Sequence, residues 1–291
     1  MRSRLPADLL VHSQLFMAFS GACFVTAVSI FLVGAVPSST MLLASACGIL
    51  SIHLFDSLRS AKREDMISQP RRAKLFRDRP LPFLVLGGAL LILTGVALLH
   101  AGTRLWVMGC LSLLGLLAAC YVFPVLSLFP ADKKTPDSLK DLARLKPVLI
   151  SFAWFSGACL VVLGRPITGE ETPALVAFLS LLISAFPWLL LDSIWLDRRD
   201  RLADESYDRM TFAVRLSAGS FRAVCVVLCF FPLLGVFLPG AGHHGFMIGG
   251  FIGALPMILL TPDQIRSEAM RVVVAGLWRV TSLLGILPFL A

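Results

Sequence analysis

Apolar stretches of roughly 20 residues, long enough to cross the hydrocarbon core of a bilayer, recur along this chain with polar segments between them. They fall near 13–35, 39–57, 81–101, 104–124, 147–164, 172–193, 220–240, 244–261 and 271–290. With 57% hydrophobic and only 15% charged residues, the composition lies far outside the soluble globular range. The pattern predicts an all-α, multi-pass membrane protein with nine transmembrane helices, forming one domain over residues 1–291. The first apolar run extends to about Val36, beyond the roughly 7–15 residues of a signal-peptide core, so we read it as a span.

Charge supplies an independent test, because basic residues collect on cytoplasmic loops. With the N-terminus inside, 23 of the 26 Lys and Arg fall on one side, most of them in the long loops near 58–80, 125–146 and 194–219. Only Arg104 and Arg165 fall on the other side, and Arg279 lies within the last span. The bias predicts a cytoplasmic N-terminus and cytoplasmic chemistry, and we expect a bacterial inner (cytoplasmic) membrane. It also explains the net charge of +8 without nucleic acid; the bilayer itself is the partner. The seven cysteines all lie in apolar spans and read as small core residues rather than as a disulfide or zinc framework.

Just after the sixth apolar stretch stands LDRRDRLADESYDRM, with Asp197, Asp200, Asp204 and Asp208 at spacings of three, four and four. On one continuous helix these carboxylates fall within about 80° of each other. Like charges so placed repel by a few tenths of a kcal/mol per pair, which a divalent cation would relieve. The neighbouring Arg198, Arg199, Arg201 and Arg209 offer the alternative of a solvated, self-neutralised helix end. His53, Asp56, Ser60 and Glu64 repeat the spacing at the end of the second stretch, on the same side of the membrane. Two such stripes facing each other among Arg and Lys suit a diphosphate bridged by Mg²⁺, with the cationic side chains on the remaining phosphate oxygens. Gathering charge there makes diphosphate a good leaving group from an allylic carbon.

At these residues the chain resembles the UbiA superfamily of intramembrane prenyltransferases, nine-helix proteins with Asp-rich motifs at the cytoplasmic ends of the second and sixth helices. The second motif is matched by Asp197, Asp200 and Asp204, followed by Thr211 and Val214-Arg215-Leu216. Arg79-Pro80-Leu81-Pro82 matches the segment that usually follows the first motif, and Tyr121 and the run Lys140 to Lys146 are looser similarities. The resemblance implies a central cavity and Mg²⁺-dependent transfer of a prenyl group from its diphosphate to a membrane-soluble acceptor. It makes Asp56, Asp197, Asp200 and Asp204 the metal ligands. Arg79, Lys140, Arg144, Lys146 and His53 become candidates for the diphosphate, and Tyr121 for orienting the acceptor or steadying the cation.

The first motif departs from the family. The chain contains no asparagine, and aligned on Asp56 the motif positions hold Ile52, His53, Asp56 and Ser60, so one acid remains of three. The loop to Arg79 is longer than the family's, leaving room for Glu64 and Asp65 to substitute. His53 has a bland reading as a hydrogen-bonded structural imidazole. An acid within a span costs about 2.5–3.5 kcal/mol, so we expect Asp192 to face the cavity, with an ion pair to Arg279 as the alternative. Terpene cyclisation at the same site, and non-catalytic binding or transport of a lipid phosphate, are the rival functions.

Overall fold

The computed structural model describes residues 14–62, 65–122, 145–164, 175–207, 211–237, 244–265 and 267–289. Of these, 89% are helical, and there are no strands among them. The first helices are α1 (Leu15–Val33), α2 (Ser39–Ser60), the short α3 (Asp65–Ser68), α4 (Pro70–Asp78), α5 (Pro80–His100) and α6 (Leu105–Val122). There follow α7 (Lys146–Leu163), α8 (Leu175–Arg199), α9 (Arg201–Ser206), α10 (Phe212–Arg215), α11 (Ala218–Phe230), α12 (His244–Leu259) and α13 (Glu268–Ile286).

Each expected apolar stretch carries a helix. Among the described residues seven helices are long and apolar enough to cross a membrane, the sixth, counted here as Ala218–Gly235, running into the 3₁₀ segment that continues α11. Leu105–Tyr121 and His244–Leu259 are shorter apolar helices. The protein is therefore a multi-pass integral membrane protein.

Local chemistry sets the helix ends. α1 stops at Gly34, whose φ of +66° lies in the left-handed region a glycine adopts freely, and whose N–H donates to the Ile30 carbonyl. Ser38, Ser217 and Ser267 cap α2, α11 and α13, each hydroxyl accepting a backbone N–H three residues on.

Within the bilayer, lipid tails are as apolar as leucine, so helices associate through close packing rather than water exclusion. The tightest seam lies between α12 and α13. A Cβ added at Gly249 would stand 2.1 Å from the Thr281 carbonyl oxygen, and one at Gly285 would stand 2.0 Å from that of Gly245. α8 runs through the centre. Its Trp188 and Trp195 are fully buried, and their indole N–H groups donate to the carbonyls of Cys229 and Leu260, each at 3.1 Å. α1 closes the same core, with Phe24 edge-on to Trp278 of α13.

Five cysteines are buried in this packing, while Cys110 is exposed on α6 and Cys120 half-buried; all seven are free thiols. At the end where α2 stops, the stretch expected to be a loop folds as α3 and α4. Ala73 and Phe76 of α4 are buried with Leu54 of α2, and Phe76 stacks at 4.3 Å on Phe83 of α5. That amphipathic helix ties the first polar segment to the bundle end and so fixes where its charged residues lie.

Candidate polar site at the bundle end

The acid-rich segment is not one continuous helix, which corrects the single stripe expected from spacing. α8 ends at Arg199, Asp200 takes a non-helical conformation (φ −90°, ψ 6°), and α9 restarts at Arg201. On a regular helix residues i and i+1 do not face each other. The break lets Arg199 fork onto the Asp200 carboxylate, donating from Nε at 2.9 Å and from Nη2 at 2.7 Å. Thr211 caps α10, and the adjacent Leu216 carbonyl accepts from Arg198 Nη1 at 3.1 Å. Arg198 also covers the Phe221 ring at 5.3 Å and lies 3.6 Å from Asp263. The segment from Thr211 to Leu216 thus folds back onto the acid-rich segment, where its Leu216 carbonyl holds Arg198.

Asp197, at the last turn of α8, receives Lys146 Nζ at 2.6 Å from the first residue of α7, and both side chains are largely buried. Asp204 is buried on α9. α9 touches α3, and this contact brings in Asp65, itself buried and held by a bidentate pair from Arg72 Nε and Nη2, both at 2.9 Å. Arg199 therefore stands in the combined field of Asp200, Asp65 and Asp197. Arg72 in turn acts on His53, as do Asp56 and Arg279. One connected set of acids and bases runs from α8 and α9 through α3 and α4 to α2.

The other expected residues fall as follows. Asp56 is half-buried on α2, one turn from His53. The His53 ring lies 6.1 Å from that of Trp154 on α7, and its carbonyl accepts from Ser57 Oγ at 2.7 Å. Tyr121 joins α2 through its backbone, its carbonyl accepting from Arg59 at 3.0 Å. Arg79 is exposed at the junction of α4 and α5. Lys140, Arg144, Glu64 and Asp208 lie outside the described residues. Asp192 pairs with Arg279, the alternative raised from sequence.

Two participants carried no signal as ligands in the sequence. Arg72 belongs to a segment read as loop, and Arg199 reads only as one of several neutralising arginines. The amphipathic pattern of residues 70–78, with Ala73 and Phe76 at helical spacing, is the feature from which Arg72 could have been found.

As arranged, these side chains do not fit a resident metal ion. Among the described residues no three His, Cys, Asp or Glu are grouped closely enough to hold one, and Asp197, Asp200 and Asp65 are each held by a cation. What the arrangement offers is carboxylates and cationic donors held against one another at one end of the bundle, the two kinds of group that a polyanion and its counterion would engage. No model of a known protein family matches this chain. No curated protein matches it either.

Proposed function

We propose that the protein is an intramembrane prenyltransferase of the UbiA type, moving a prenyl group from its diphosphate to an acceptor dissolved in the bilayer. One observation carries this reading: α3, which begins with Asp65, packs against α9, which directly follows Asp197 and Asp200, and the three carboxylates all act electrostatically on Arg199. The two acid-bearing segments of the resemblance therefore meet, and Asp65 takes up the role of a missing first-motif acid. Nine spans with a cytoplasmic N-terminus, in a bacterial inner membrane, complete the proposal, supported by the one-sided basic loops.

In this reading Lys146, Arg199 and Arg72 turn from their carboxylates to the diphosphate oxygens, and the released Asp197, Asp200 and Asp65 would hold Mg²⁺, which would neutralise charge on the leaving group. Cationic donors held in a dry site stabilise charge as the allylic C–O bond breaks and its electron pair leaves with diphosphate. The acceptor's nucleophilic atom then bonds to the allylic carbon and loses a proton. Apolar helices around the tail keep water from the cation.

The ion pairs that hold Asp65, Asp197 and Asp200 favour a second reading, binding of a lipid phosphate without ionisation. Incubating purified protein in nanodiscs with Mg²⁺ and prenyl diphosphates of graded length, with and without acceptors, separates the possibilities. Acceptor-dependent diphosphate release is the expected result. Release with a cyclic hydrocarbon product and no acceptor would point to a cyclase, and binding without release to the second reading.

A further inference from the structure

The inner face of α4 belongs to the polar cluster, and its outer face is basic. Residues 70–79 carry five basic side chains and one acid, Asp78. Arg72, Ala73 and Phe76 are buried, whereas Arg71, Lys74, Arg77 and Asp78 are exposed. At roughly 100° per residue, Arg71, Lys74 and Arg77 fall within about 120° of one another, roughly opposite the buried three. Successive members of that row are three residues apart, about 5–6 Å between Cβ atoms, which lets two cations flank one phosphate. Asp78 lies 3.8 Å from Arg77 with both side chains half exposed, a surface contact that contributes little.

Depth separates a lipid contact from a solvated face. α5 starts at Pro80 with no loop after α4, Arg79 capping both helices. From its first turns α5 points apolar side chains outward, Leu81 at 66% and Val85 at 62% exposed, a surface for acyl chains to cover. The polar boundary of the bilayer therefore falls at the α4–α5 junction. Ala73 and Phe76 of α4 pack with Leu54, well inside α2, so α4 lies alongside the bundle at headgroup depth.

Beside the cations, α3 exposes Met66 and Ile67, each at 46%, and Arg77 Nη1 lies 3.7 Å from the Met66 sulfur. Basic groups for phosphate and apolar groups for the upper acyl chain, side by side on one face, are the paired features of an interfacial membrane contact.

We propose that the α3–α4 face binds an anionic phospholipid, with Lys74 and Arg77 on the headgroup phosphate and Met66 and Ile67 against the upper acyl chains, and that this lipid seats α4 on the bundle. Seating reaches the polar cluster because Arg72, on the inner face of the same helix, holds Asp65. Neither the lipid contact nor the seating rests on the prenyl-transfer reading.

The test presents full-length protein in detergent with phosphatidylglycerol and phosphatidylcholine of identical acyl chains, and ranks the retained lipid by native mass spectrometry. The tightest-held phosphatidylglycerol should outcompete phosphatidylcholine at least about tenfold, and Lys74→Gln/Arg77→Gln should abolish that preference. Removing two charges from other exposed positions, Arg215→Gln/Arg222→Gln, should leave it within about twofold. In nanodiscs, the backbone amides of 65–78 should exchange hydrogen at least about threefold more slowly with phosphatidylglycerol than with phosphatidylcholine. Equal retention of the two lipids, an equal loss in both double variants, or unchanged exchange over 65–78 would overturn the proposal. Displacement of the lipid by soluble sn-glycerol 1-phosphate would overturn it too, marking a site for free phosphates. If the variant at 74 and 77 does not fold, the lipid competition and the exchange rates of the parent protein decide. A parent protein that passes both yet releases no diphosphate from any prenyl substrate keeps this face and sinks the transfer reading.

Discussion

Lys146 Nζ lies 2.6 Å from Asp197 Oδ1, joining the first turn of α7 to the last turn of α8 inside the bundle end. Removing one member of a buried pair typically costs about 3–5 kcal/mol, whereas replacing both by apolar groups is often neutral. Lys146→Met should therefore lower the thermal midpoint strongly, and Lys146→Met/Asp197→Leu should recover most of the loss. Thermal denaturation in a fixed detergent checks the pair. An additive double variant would show that the contact carries no coupling energy.

The contact between α3 and α9 requires residues 65–68 and 201–206 to lie on one side of the membrane. Lys74 on α4 and Leu202 on α9 are both exposed. Cysteines placed at these two positions should react with a membrane-impermeant maleimide only from the cytoplasmic side, and one placed at 242 only from the outside. Labelling of Lys74→Cys and Leu202→Cys from opposite sides would break the topology and the site together.

The α12–α13 seam gives a stability test that is independent of function. Gly249→Ala or Gly285→Ala forces a methyl against backbone about 2 Å away, which two helices relieve only by separating. Overpacking of this kind costs about 1–3 kcal/mol. Gly88 and Gly95 on α5 have nothing within 4 Å of an added Cβ, and alanine there should be neutral or stabilising by up to about 1 kcal/mol through helix propensity. Melting curves of the four variants should separate into those two groups.

Asp200 and Arg199 are tied to each other, so the effect of Asp200→Asn has two signs. Losing the carboxylate should weaken Mg²⁺-dependent diphosphate binding at least tenfold, while the freed Arg199 raises metal-free binding. Asp204→Asn should give the first effect without the second, and Asp208→Asn, a turn farther along the sequence, a smaller one. Titration of inorganic diphosphate with Mg²⁺ and with a chelator distinguishes the two. If all three substitutions bind as the parent does, the acids are a neutralised helix end.

Helix existence was legible because runs such as 81–101 are apolar all round and have no other stable form in lipid. Helix breaks were less so. Four aspartates at spacings of three, four and four read as one face, yet the helix breaks at Asp200, whose carboxylate takes the Arg199 fork, and spacing alone carries no sign of it. Asp192 and Arg279 are 87 residues apart in the chain. Their pairing was legible as an alternative only because Arg279 is the one basic residue within an expected span. Arg72 stayed hidden for a different reason: a four-residue helix and a nine-residue helix separated by Gln69 have too few turns to stand out from a polar loop.

Asp65 is the acid on which the proposed site most depends, since the first motif retains only Asp56 and the position four residues on is Ser60. Arg72 holds Asp65 bidentately, so Asp65→Asn alone strands a buried guanidinium and confounds folding with function. The double variant Asp65→Asn/Arg72→Met keeps the neutral balance of the pair with side chains close to the originals in volume, and leaves no buried charge behind. Its melting midpoint should stay within a few degrees of the parent. If Asp65 replaces a motif acid, turnover should nevertheless fall about a hundredfold or more, the scale of losing a principal electrostatic stabiliser, and Asp56→Ala should fall comparably. A double variant that melts with the parent and turns over like it would return Asp65 to a fastening for α4 and leave Asp56 as the sole acid of that half.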